Sequence, residues 1–365
     1  MPPQQVSIVF SGGIALGAYH AGAYAALHEQ GSFAPDHLAG SSIGAVTAAL
    51  IAGNPPERRV ERLRAFWNAV GVEPAPLRAP WLRPSEGPWR HAENWLSVLR
   101  TRLFGQPGAF QPRMPEFMLR NVTSVYDLAP LRATLERLVD FDLLNDGRPR
   151  VSVVFTDVET GEAVVLDTGR GDRIGSEHLV ATCGFLPDFP PVEIGGRLLG
   201  DGGLVANAPI EYALLDRHGE GDLLCFVVDL FSPDGGRPAT LEEAASRRWD
   251  LLFGNQSRQR LKDLELAFRL RSGIARLARA LPAKARQDPE VARILEEGRE
   301  EKALLIYLSY RAPQHEAGPE KPFDFSQSTL ADRWEAGSRD MAEALRLAAK
   351  GGQTAPGLTI RTVPR

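Results

Sequence analysis

The sequence predicts a three-layer α/β/α protein around a central, mostly parallel sheet. Three observations carry this expectation. Two short β-branched or apolar runs near the N-terminus each lead through a small-residue turn into an apolar helix. Two later runs, "LLCFVVDLF" and "ALLIYLSY", are apolar throughout but only strand-length, as in strands covered on both faces. The 365 residues are 43% hydrophobic and 24% charged, with no run of eighteen apolar residues, so a soluble globular core is expected.

"VSIVF" (6–10) reads as a buried strand ending in glycines, and 15–30 as a helix that stops at Gly31. A short strand from 37 to 39 then leads to the serines, and 43–52 reads as a second helix closed by "GNPP". A right-handed crossover makes the two strands parallel and puts both turns at their carboxyl ends. Another helix is expected over 57–70, irregular structure over the Pro- and Trp-rich 81–113, and a helix over 127–139. "VSVVFTDVETGEAVVLDT" reads as a hairpin about Thr160-Gly161, and a last helix runs over 329–349.

The formal net charge of −4 gives no global argument for nucleic acid. Two cysteines, Cys183 and Cys225, lack metal-ligand spacing, so neither a zinc site nor a disulfide framework is expected. The first residues lack the basic and apolar regions of a signal peptide, which implies a cytoplasmic protein.

"GSSIG" fits G-x-S-x-G only with Ser42 at its centre, between Gly40 and Gly44. Such a strand-to-helix turn pushes the central hydroxyl out of the sheet, and the following helix N-terminus favours developing negative charge. "SGGIALG" ends the neighbouring strand, so its backbone N–H groups can face the carbonyl that Ser42 attacks. A dinucleotide fingerprint would need glycine where Ile14 stands. A phosphate-binding P-loop would need Lys-Ser/Thr where Ala18-Tyr19 stand. The loop glycines could also serve helix packing alone. For the base, the chain offers seven histidines, none in a distinctive turn. It also offers Asp201, held between a short apolar strand and Gly202-Gly203, where a dry site would raise the basicity of a carboxylate. A plain Asp-Gly turn is the rival reading of that aspartate.

In order, "ALGAYHAGAYAAL", "GSSIGAV", "YDLAPLRATLERLVDFD", "FLPDFPPVEIGGRLLGDGGLVANAPI" and "DFSQSTLADRWEAG" resemble the patatin-like phospholipase family, nearest to bacterial members with an additional C-terminal segment. The resemblance implies a catalytic core over 1–215 and a C-terminal extension over 216–365. It implies a Ser42–Asp201 dyad without histidine, an oxyanion hole at Gly12, Gly13 and Ile14, and motif glycines at 17, 40, 44, 202 and 203. It further implies hydrolysis of glycerolipid acyl esters, with acyl transfer as the alternative, and no organic cofactor or calcium. Ile14 stands where the family has glycine and Leu16 where it often has a cation. The first departure opens the alternative of a catalytically weak lipid-binding protein, and the second weakens a preference for phospholipid headgroups.

Two stretches suggest how lipid is reached. Over 261–286 the chain is basic, with Leu266, Leu270, Ile274, Leu277 and Leu281 on one helical stripe. That stripe suits either the protein core or a peripheral, anionic membrane surface. Trp81, Trp89 and Trp95 either border an acyl pocket or simply pack.

Overall fold

The computed structural model describes residues 5–72, 88–113, 122–146, 148–215, 221–313, 315–350 and 356–364. Trp81 and His218 therefore lie outside the described residues, as do 81–87 of the stretch expected to be irregular.

The apolar runs form one mixed sheet. Read across, its order is Gly357–Thr362, Lys302–Ser309, Leu223–Asp229, Gln5–Phe10, His37–Ser41, Arg150–Asp157, Arg197–Asp201 and Val192–Ile194, with Ala163–Asp167 paired to Arg150–Asp157. The first six strands are parallel; Arg197–Asp201, Val192–Ile194 and Ala163–Asp167 pair antiparallel. All residues of His37–Ser41, Arg150–Asp157 and Leu223–Asp229 are buried, because helices cover both faces. Alternation divides the core: Ile8 and Phe10 join one cluster, while Val9 joins a second with Ile210, Leu214, Leu264 and Phe268.

On the first face, helix Ala18–Gln30 packs along helix Gln327–Ala349. The two backbones approach so closely that a Cβ at Gly22 would lie 1.9 Å from the Trp334 carbonyl oxygen, and one at Gly337 would lie 2.0 Å from that of Tyr19. Three of the nine strands and this helix come from residues beyond 216, so the C-terminal part shares the sheet and core of the N-terminal part.

Two expectations need correction. Within 81–113, residues Pro88–Phe104 form a helix of 17 residues. Its only proline is at the first position, where the missing N–H costs nothing, and Asn94, Val98 and Thr101 make a buried face at helical spacing. The basic helix begins much earlier than expected and spans Leu241–Ala280, ending before Pro282. Its core face is Leu264 and Phe268, whereas Leu266, Leu270 and Leu277 are exposed, so the Leu stripe does not face the core.

Candidate active site

The end of strand His37–Ser41 makes the turn the motif requires. Ser42 has φ 54° and ψ −127°, and helix Ile43–Ala52 begins at the next residue. A positive φ at a non-glycine residue is strained by about 1–3 kcal/mol and must be held by its surroundings. Here the Thr182 hydroxyl accepts the Ser42 N–H at 3.0 Å and donates to the Val154 carbonyl at 2.6 Å. Gly44 allows the helix to start against the neighbouring strand; a Cβ there would lie 2.1 Å from the Phe10 carbonyl oxygen. Gly40, in the strand before the turn, is likewise crowded by the first turn of that helix. Ser41 is fully buried and lines neither of the two cavities that reach Ser42.

Register explains how Asp201 reaches Ser42 across so many residues of chain. Strand Arg150–Asp157 pairs Val154 with Ser41, then pairs its next residue, Phe155, with Asp201. Asp201 therefore arrives on an antiparallel strand just past the end of the serine strand. The Thr156 hydroxyl donates to the Asp201 carbonyl at 2.7 Å, and the Gly203 N–H donates to its carboxylate at 2.7 Å. Gly202, between them, precedes the short helix Gly203–Ala206. Burial pushes the Asp201 carboxyl up to about 7, although hydrogen bonds from the Ser42 hydroxyl and the Gly203 N–H pull the other way. Cys183 lies beside the pair, and burial raises its thiol well above the usual range.

The glycine loop follows strand Gln5–Phe10. The Gly12 N–H donates to the Asn207 carbonyl at 3.0 Å, so the expected trio of oxyanion donors narrows to Gly13 and Ile14. Among the described residues, no acceptor takes either of those two N–H groups. Ile14 has φ 53° and opens a single 3₁₀ turn ending at Gly17, which packs on Ile43 and Trp67. A β-branched residue thus holds a left-handed conformation that costs it roughly 1–2 kcal/mol. Leu16 is fully buried.

Two cavities meet at Ser42. The inner one is lined by Ile43, Phe66, Trp67, Phe110, Leu131 and Phe325 among other apolar groups. The outer one mixes Phe231, Trp249, Phe253 and Phe323 with Asn207, Arg102, Asp188 and Glu320. Arg102 bonds Asp188 at 2.7 Å and Glu320 at 2.9 Å, so the cation at this rim is already bound by two carboxylates. Ile14, Ser42, Phe185 and Asp201 line both.

The described histidines are elsewhere. His20 is enclosed beside Phe10, and burial pushes its pKa down to about 3. His37 bonds Ser152 at 2.7 Å, at the opposite end of its strand from Ser42. His28 stacks on Tyr24, His91 meets Trp95, His178 accepts the Gly175 N–H, and His315 lies near Asp332. None lines either cavity. Of the tryptophans singled out in the sequence, the two described ones are not there either: Trp89 is 77% exposed, and the Trp95 ring N–H reaches Glu242. Trp67 and Trp249 take that role. Sequence reasoning missed Thr182, because a lone threonine far from both motifs carries no local signal. No cluster able to hold a metal ion occurs among the described residues, and none of their helices is long and apolar enough to cross a membrane.

The profile of the patatin-like phospholipases matches residues 8–214, and a second profile, described as patatin phospholipase, matches 252–356. No curated protein matches the chain. Among solved structures, VipD from Legionella pneumophila aligns at 15% identity, covering 94% of this chain and 67% of its own, with a TM-score of 0.41. ExoU from Pseudomonas aeruginosa, in complex with SpcU, aligns at 15% identity over 96% of this chain and 79% of its own, with a TM-score of 0.27.

Proposed function

Since this chain belongs to the patatin-like phospholipase family, we propose that it is a carboxylic ester hydrolase cleaving lipid acyl esters through a Ser42–Asp201 dyad. The observation that carries this reading is a buried carboxylate, raised to about 7, that accepts from the one serine held in a strained strand-to-helix turn. A base of that strength works best near neutral pH.

The acyl chain occupies the inner apolar cavity and the alcohol portion the outer one. Asp201 takes the Ser42 proton as the serine oxygen attacks the ester carbonyl. The resulting oxyanion is held by the N–H groups of Gly13 and Ile14 and by the N-terminus of helix Ile43–Ala52; one such donor is typically worth roughly 3–4 kcal/mol of barrier. Asp201 then passes its proton to the departing alkoxide and leaves an acyl-enzyme. Water, deprotonated by Asp201, releases the fatty acid and restores the serine. The described residues offer no histidine to stand between the two groups.

A fluorophosphonate probe tests the dyad directly. Wild type labels at Ser42. Ser42→Ala does not label, Ser41→Ala labels normally, and Asp201→Asn labels at least about a hundredfold more slowly, the usual worth of a general base. Labelling lost in a histidine variant but kept in Asp201→Asn would point to a Ser-His-Asp hydrolase instead.

The protein also reaches its lipid, in this reading, as a peripheral guest of an anionic membrane. Exposed Leu266, Leu270 and Leu277 on the basic helix support this, because apolar and cationic groups together suit an interfacial helix.

A further inference from the structure

Among the described residues only Ile14 and Ser42 combine a side chain with positive φ, and they stand in the same site. The strain at Ser42 serves the attack. The strain at Ile14 has no such purpose, since glycine would hold the loop more easily and leave the N–H where it is. What isoleucine adds is a branched, half-buried side chain in a particular place.

That place is where the two cavities meet. Of the four residues that line both, Ser42 and Asp201 are the reacting pair; Ile14 and Phe185 are the two apolar members. An ester bound for attack has its carbonyl carbon at Ser42, its acyl α-carbon on the side of the inner cavity and its alkoxy carbon on the side of the outer one. The apolar side chains common to both sides are Ile14 and Phe185. A branch on either carbon adds bulk beside them, next to a backbone already pinned by the Gly12–Asn207 bond at 3.0 Å.

We propose that Ile14 is a specificity-determining residue that restricts this site to esters of primary alcohols with unbranched acyl groups. For glycerolipids this means the terminal acyl positions rather than the central one, whose alkoxy carbon is secondary. The proposal rests on Ser42 being the nucleophile, and it names the substrate class of that same site.

The test uses two glycerolipids that each carry a single ester, the other chain being an ether: one with its acyl group at a terminal position, one at the central position. Presented in mixed micelles, the terminal ester should be cleaved with the higher kcat/KM by wild type. Ile14→Gly and Ile14→Ala should each reduce the ratio about tenfold, the scale on which a pocket discriminates small apolar groups. Alanine keeps the left-handed strain without the branch, so it separates bulk from loop geometry; Ile14→Val, which keeps the branch, should retain the preference. Phe185→Ala removes the other apolar side chain common to both cavities and serves where an Ile14 variant fails to fold. Equal cleavage by wild type, or a ratio unchanged in the glycine, alanine and Phe185 variants, overturns the proposal. Failure of both lipids together with absent fluorophosphonate labelling overturns the Ser42 reading instead.

Discussion

Ser41 and Ser42 are chemically identical neighbours with opposite surroundings: one hydroxyl is buried with no hydrogen-bond partner, the other faces Asp201. At this scale the chemistry turns on one proton. With the Asp201 carboxyl near 7, kcat/KM for an uncharged ester should fall about tenfold per unit below that pH, because the base is then protonated. A profile flat from pH 5 to 8 would remove Asp201 as base. The same group has a stability signature. Its folded pKa lies above the ordinary 3.8, so the native state binds more protons between the two values. Its stabilising contribution is present below pH 4 and lost as pH rises through 7. Asp201→Asn should accordingly raise Tm relative to wild type at pH 8 and leave little difference at pH 4.

Elements decide where those residues meet. The antiparallel strand Arg197–Asp201 delivers the carboxylate, Thr182 pins the serine turn, and the glycine pair lets helix Gln327–Ala349 seat against helix Ala18–Gln30. Filling that contact is costly: Gly337→Leu, with even its Cβ overlapping the Tyr19 carbonyl, should lose roughly 2–3 kcal/mol or more of stability in denaturant melts. The long helix Leu241–Ala280 divides its labour. Trp249 and Phe253 line the outer cavity, Leu264 and Phe268 pack on the sheet, and the leucines beyond are exposed. If those leucines and their arginines meet a membrane, the protein should sediment with anionic vesicles at low salt and release at high salt, since the charge contribution is screened. Equal sedimentation with neutral vesicles would remove the arginines from the contact, and no sedimentation with either would remove the membrane role of the helix.

In the whole molecule, residues 1–215 share their sheet and one helix layer with the rest of the chain. Strand Leu223–Asp229 pairs directly with Gln5–Phe10, so a chain ending at 215 would expose a central strand edge and the face that helix Gln327–Ala349 covers. A fragment of residues 1–215 should therefore aggregate and fail to label with fluorophosphonate, although it contains Ser42, Asp201 and the glycine loop. Size-exclusion chromatography and labelling of the fragment check this.

By itself the sequence determined the features set by local chemistry. These are the strand-turn-helix units, the helix stop at Gly31, the hairpin at Thr160-Gly161, and the candidacy of Ser42 and Asp201 through the turns that hold them. Pattern failed where composition misled: scattered Pro and Trp over 81–113 hid a helix whose buried face includes the polar Asn94 and Thr101. The basic stripe could not show which of its faces meets the sheet, because apolar residues lie on both. Only the tertiary structure decided that Phe155 follows Val154 in register to bring Asp201 past Ser41, that Gly12 spends its N–H on Asn207, and that Ile14 lines both cavities. The reason is physical. A turn or helix cap is chosen by neighbours in the chain, whereas a register, a spent donor and a cavity wall are fixed by groups that meet only when the sheet closes.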